Sequence, residues 1–235
     1  MAEGVARKER STAKRTGSTR KAGGGTLTEK AYRELEERIV TLQLKPGEFL
    51  SEYALSGNLK IGRTPIREAL QRLAREDLVT ILPRKGILVS DTDPRKQLLV
   101  LEVRRELERL ICRLAAQRAS DAQRQRLREI AASMDRAAKT NDDMMFMRLD
   151  RELNLLLVNA AQNDYAARAM RFLQGHARRF WYLHYKQAAD LPLCARLHAT
   201  QARAVAAGDA KAAAAASDRL INYVVTFTQT TVTGF

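Results

Sequence analysis

Arg63, Arg67 and Gln71 recur every four residues, a spacing that sets them in one row along a helix. Among them Ile66, Ala69, Leu70 and Leu73 fall at intervals of three and four, the pattern of a buried helical face. A helix that is apolar below and carries guanidinium forks above suits a DNA major groove, where one arginine meets the O6 and N7 acceptors of guanine through two parallel donors. The same row also reads as a solvated face whose cations pair with Glu68 and Glu76. A second basic group, Arg84-Lys85-Gly86, follows closely. Its glycine permits close backbone approach, and its cations suit a phosphate or an adjacent minor groove.

The surrounding chain supplies elements to hold these groups. Ala31, Tyr32, Leu35, Ile39 and Leu42 mark one face of a first helix, which Pro46-Gly47 stops. A short second helix over 51–56, a turn at Lys60-Ile61-Gly62 and a third helix over 64–76 follow. Thr64 is expected to cap the third helix, with Pro65 in its first turn where a missing N–H costs nothing. Two β-rich pieces, 79–82 and 87–89, flank Pro83-Arg84-Lys85-Gly86 as a hairpin. Three short helices and a hairpin make a winged helix-turn-helix. Beyond residue 93 the apolar periodicity is helical throughout, in six segments: 93–118, 121–139, 142–161, 164–186, 190–207 and 209–232. Ser120-Asp121, Asn141-Asp142, Asn163-Asp164 and Gly208-Asp209 separate four of the junctions with cap residues and acids suited to helix N-termini. The fold class is therefore mainly α, an N-terminal winged helix-turn-helix followed by an all-α antiparallel bundle of about six helices. The expected domains are a disordered basic arm over 1–26, a DNA-binding domain over 27–91 and a helical domain over 92–235.

Charge narrows the partner. The 235 residues carry a formal net charge of +14, which draws the protein to polyanions. Seven of the cations, Arg7, Lys8, Arg10, Lys14, Arg15, Arg20 and Lys21, lie in the arm. They suit DNA phosphates, or serve only as a solubilising tail. No segment approaches the ~18 uninterrupted apolar residues of a spanning helix, and the charged N-terminus lacks the apolar run of a signal peptide. Cys112 and Cys194 stand far apart without paired-ligand spacing, which fits a reducing cytoplasm and supports neither a disulfide framework nor a thiolate metal site.

Leu44-Lys45-Pro46-Gly47-Glu48-Phe49-Leu50, then Gly62-Arg63-Thr64-Pro65-Ile66-Arg67-Glu68-Ala69-Leu70-Gln71-Arg72-Leu73, then Arg84-Lys85-Gly86 closely resemble the DNA-binding domain of the GntR family of bacterial transcription regulators. The resemblance implies that Arg63, Thr64, Arg67 and Gly86 meet an operator, with Gln71, Arg84 and Lys85 beside them. Gly62 stands where many members have serine, and Leu55-Ser56 where a leucine-alanine pair is usual. The helical part resembles the FCD domain of the FadR-type subgroup, on Val103-Arg104-Arg105-Glu106-Leu107-Glu108, Leu114-Ala115-Ala116, Asp150, Asn163, His198 and Gly208-Asp209. That domain senses small organic acids and often holds a divalent metal.

By this resemblance the effector-binding residues are Arg104, Asp150, Asn154 and His198, with Asp150 and His198 the surviving pair of a degenerate metal site. Asn154 and Leu220 occupy the other two ligand positions, where an amide is a poor ligand for a transition metal and leucine is none. A divalent metal is thus possible but weakened, and no cofactor is certain. His176 and His184 are candidate substitutes, and Arg104 has a second reading as the ion-pair partner of Glu108. Phe180, Trp181 and Tyr182 either pack the bundle or wall a ligand site. The expectation is a cytoplasmic homodimer that binds a double-stranded DNA operator, most simply as a repressor, under control of a small carboxylic acid, with no membrane partner. It assigns no catalytic residues and no enzymatic activity. The rival is a charge-driven nucleic-acid-binding protein without sequence preference or effector control.

Overall fold

The computed structural model describes residues 25–233, so the sequence-expected basic arm lies almost wholly outside the described residues. The chain opens with α1 (Leu27–Val40), β1 (Phe49–Leu50), α2 (Glu52–Leu59), α3 (Arg63–Arg75), β2 (Val79–Leu82) and β3 (Gly86–Val89). The helical part follows as α4 (Pro94–Arg118), α5 (Asp121–Thr140), α6 (Asp143–Ala161), α7 (Asp164–Ala188), α8 (Leu191–Ala206) and α9 (Ala210–Thr233). No described helix is long and apolar enough to cross a membrane.

The periodicities bury the faces they mark. Ile66, Ala69, Leu70 and Leu73 of α3 pack with Ala31, Leu35 and Ile39 of α1 and with Val79, Ile87 and Val89 of the hairpin in one apolar core. A second core joins α4 through α9. Val40, the last residue of α1, belongs to this second core although Ile39 belongs to the first. The first helix is thereby keyed to both.

Local chemistry fixes the bundle's corners. Ser120 and Gln123 form a reciprocal capping box at the start of α5, while Asp93, Asp142, Asn163 and Asp190 each cap the next helix through a side-chain oxygen. These contacts satisfy N–H groups that the first turn leaves without a helical acceptor. Asn141, in the left-handed region at φ 54°, closes α5 just before Asp142 opens α6. In the packed bundle, α5 lies chiefly on α8, and α4 on α9.

Several boundaries differ from the sequence reading. Helix α1 ends at Val40, and Leu42 adopts φ 59°, outside the helix that its spacing extends. Its N–H bonds to the carbonyl of Ile39 in a tight turn, and the N–H of Leu44 bonds to that of Arg38. Helix α2 continues to Leu59. Helix α3 starts at Arg63 with Gly62 as a cap that offers no side chain, so Thr64 lies inside the first turn and does not cap it. The unexpected β1 pairs antiparallel with β3, giving a three-stranded sheet in the order β1-β3-β2. A two-residue strand leaves no readable alternation.

Helix α7 carries the first unit on the second. The Cβ of any larger residue at Gly175 would sit 2.9 Å from Cδ1 of Leu78, which is wholly buried. Arg179, one turn on, is 1% exposed and donates to the backbone carbonyl of Ser90 in the connection to α4. Desolvation draws its pKa down to about 10.

Candidate functional site

Arg63, Thr64, Arg67 and Gln71 are exposed on α3, on the side opposite its buried row. Arg67 and Gln71 line a hollow of about 670 Å³ between α3 and the wing, whose far side is Arg84, Lys85 and Gly86. The two basic groups separated in sequence thus face one concavity. Gly86 has φ 108°, a conformation that an L side chain rarely adopts, where the turn enters β3.

Arg67 does not pair along its own helix. It reaches across to Glu52 at the start of α2, with Nε 2.9 Å from one carboxylate oxygen and Nη2 2.8 Å from the other. That bidentate contact lowers the Glu52 pKa and holds the guanidinium plane toward the hollow. The intrahelical alternative holds only in part: Glu76 pairs with Arg72 at 3.4 Å and accepts from Tyr32 at 2.7 Å, while Glu68 accepts from Thr28 of α1 at 2.6 Å, and neither acid takes Arg67. Arg63 is left exposed at the helix start. Glu52 and the exposed Phe49, which also lines the hollow, escaped the sequence reading because both belong to neighbouring elements rather than to α3.

The second site lies inside the bundle. Arg104 from α4, Asp150 from α6, Arg178 and Trp181 from α7, His198 from α8 and Leu220 from α9 converge on a cavity of about 30 Å³. Asn154, one turn after Asp150, donates to its Oδ1 at 2.9 Å. The four positions singled out in sequence therefore come together. Arg104 takes its ion-pair reading as well, with Nε 2.8 Å from Glu108 and both side chains buried. Gln201 donates to the other Glu108 oxygen at 2.9 Å.

His198 holds two acceptors at once: Nδ1 is 2.9 Å from the carbonyl of Cys194, and Nε2 is 3.2 Å from Asp150 Oδ1. Burial disfavours its charged form, yet the Cys194 and Asp150 contacts outweigh burial and lift the pKa well above the ordinary value. Burial likewise pushes Asp150 up, and His198, Arg178 and Arg104 together bring it below the ordinary carboxylate value. Cys112 and Cys194 are free, buried thiols.

These residues do not fit a divalent transition metal. Asn154 offers only an amide, Leu220 has no donor, and Arg178 places Nε 3.4 Å from Asp150 Oδ2, so a guanidinium already faces the acid. His176 and His184, the expected substitutes, do not line the cavity. They pack instead on Phe172 at 5.6 Å and Phe180 at 4.5 Å between ring centroids. Trp181 packs the bundle, 4.7 Å from the Phe227 ring, and also lines the cavity.

Arg178 is the residue the sequence reading missed. Its Nη1 is 2.8 Å from Glu36 of α1, a partner 142 positions away in sequence. Arg151 adds contacts of 3.3 Å to Glu36 and 3.2 Å to Glu37. A signal existed: Arg178 falls three before Trp181 and seven before Tyr185, on a row that both aromatics bury.

A winged helix-turn-helix with a basic reading face, set on a six-helix bundle with a charged internal cavity, defines a class of DNA-binding regulators. The chain belongs to the GntR family: the family model for bacterial regulatory proteins of that name matches residues 27–89, and the FCD domain model matches residues 99–223. It is 32% identical over 139 residues to the Nta operon transcriptional regulator of Aminobacter aminovorans, across 59% of this chain and 66% of that protein, slightly under two thirds of the relative. It is 27% identical over 176 residues to the transcriptional repressor RspR of Escherichia coli, across 73% of this chain and 75% of the relative. The solved structure of E. coli McbR/YncC shares the fold at a TM-score of 0.75 and 19% identity, across 89% of this chain and 100% of the other.

Proposed function

We propose that this protein is a sequence-specific DNA-binding transcription repressor, with residues 27–91 reading the operator and residues 92–235 binding a small carboxylic acid. The observation that carries the reading is the shared hollow in which Arg67 and Gln71 of α3 face Arg84, Lys85 and Gly86 of the wing. A recognition helix in the major groove places such a wing against the neighbouring backbone or minor groove. Membership of a family whose relatives include a repressor supports the direction of control.

The active form is a homodimer. Leu99 and Val103, four residues apart on α4, are 61% and 59% exposed, and an apolar pair at that spacing suits a second copy of the chain. Two copies read two halves of a near-palindromic operator. In the bundle, Arg104, Asp150, Asn154 and His198 provide polar contacts for the acid.

The net charge of +14 favours one competing reading, binding by charge alone. Duplexes enriched from a random pool by the full-length protein separate the two. Footprinting on the enriched sequence is expected to show a discrete two-fold protected site. Uniform protection, with no sequence enriched, would establish the charge-driven reading instead.

A further inference from the structure

The effector cavity is too small for its task as it stands. About 30 Å³ holds little more than one water, whereas even a small organic acid needs several times that. A larger crevice of about 360 Å³ lies next to it, between α1 and the α6–α7 face, where Arg33, Arg72, Arg151 and Arg171 outnumber the acids Glu29 and Glu36 on its wall. Among the described residues, Arg178 alone lines both hollows. It is 8% exposed and spans them, with Nη1 on Glu36 and Nε toward Asp150. The contact to Asp150 is loose: at 3.4 Å the Nε–H makes no hydrogen bond, and Oε2 of Glu36 likewise accepts none.

We infer that Arg178 is the anion receptor of the effector site, and that a carboxylate ligand binds by taking this guanidinium from Glu36 of the DNA-binding unit. The inference rests on the effector reading above and adds to it the residue and the competitor. Basic side chains on the crevice wall attract an anion toward Arg178. A carboxylate offers Arg178 the planar bidentate geometry that its single bond to Glu36 lacks. Arg104 is less able to serve, because Glu108 holds it at 2.8 Å and is itself fixed by Gln201. Swinging Arg178 aside also merges the cavity with the crevice, which supplies the missing volume. Ligand entry and the Glu36 contact therefore exclude each other, and α1 loses one of its ties to the bundle when the acid binds. Arg151, which also meets Glu36, keeps that carboxylate from being left alone.

The chain contains one tryptophan, Trp181, and it walls the cavity, so its emission reports occupancy. The experiment titrates acetate, pyruvate and benzoate into the full-length protein and into Glu36→Gln and Arg178→Met, with DNA affinity measured on a duplex enriched by the parent. In Glu36→Gln the competitor is gone, and the carboxylate that perturbs Trp181 is expected to bind about tenfold tighter. In Arg178→Met the saturable emission change is lost while the helical circular dichroism is kept.

Without ligand, the double variant is expected to change DNA affinity no more than the single Glu36→Gln variant does, since both remove one bond. If a carboxylate perturbs Trp181 equally in parent and Glu36→Gln, the competition is overturned and the effector reading survives. If no probe perturbs Trp181 in any of the proteins and the two single changes add in the double variant, the receptor assignment and the carboxylate reading both fall. Should Arg178→Met not fold, the Glu36→Gln titration and its DNA affinity decide alone.

Discussion

The DNA-reading unit and the bundle use arginine in opposite ways. On α3, Arg63 and Arg67 are exposed, and the one tie on Arg67, to Glu52, is a surface ion pair of little energetic weight. In the bundle Arg104, Arg178 and Arg179 are 7%, 8% and 1% exposed, held by Glu108, by Glu36 with Asp150, and by the Ser90 carbonyl respectively. An exposed cation remains available to any phosphate that arrives. A buried one is committed to its partner, and a ligand reaches it only by exchange. The first arrangement suits affinity for a polyanion, and the second suits the exchange that the proposed effector site requires.

The largest effect is expected at Arg104. Replacement by Met leaves the Glu108 carboxylate buried with only Gln201 as donor, and the expected loss is about 3–5 kcal/mol of unfolding free energy in urea titration. A loss below 1 kcal/mol would mean that the pair is hydrated and the contrast false. On the exposed side, Arg63→Ala and Arg67→Ala are each expected to weaken operator binding by about 1–3 kcal/mol and relax base preference. Their unfolding midpoints should stay within about 0.5 kcal/mol of the parent. Gel-shift and melting measurements on the same samples check both halves, and parent-like binding by both variants would remove α3 from the interface.

A smaller effect is expected for the double change Asn154→His with Leu220→His. It adds two imidazoles beside Asp150, but Arg178 stays, so zinc affinity after chelator treatment should rise only about 10–100-fold by calorimetry. Adding Arg178→Met to that pair should raise it further; a native protein that already binds zinc tightly and stoichiometrically would contradict the donor argument. The smallest effect concerns the arm. Deleting residues 1–25 should make the log–log salt dependence of DNA binding shallower by about 0.9 for each arm cation seated on a phosphate, with sequence discrimination preserved. An unchanged slope would make the arm a tail.

Which features were legible follows from how each is encoded. The six bundle helices were readable because their ends carry their own chemistry, as at Ser120, Asp142 and Asn163, and their faces repeat. The exposed polar row of α3 was legible for the same reason: Arg63, Arg67 and Gln71 share one helix. Thr64 was misjudged as a cap because Gly62, with no side chain to offer, can hold that place. Arg178 and Glu36 were out of reach since their meeting depends on how α1 docks on α7. The metal positions Asp150, Asn154, His198 and Leu220 could be placed together only by family resemblance, and the guanidinium among them belongs to none of those positions.

Gly175 lets the two units approach closely at one point. With Leu78 seated against bare backbone, and Arg171 and Arg179 one turn to either side along α7, the helix presents a single notch bounded by bulky teeth. A larger residue at 175 would have to displace the Leu78 side chain, and with it the close fit of the first unit on α7. The register between the two units thus rests, at this point of contact, on the absence of a side chain.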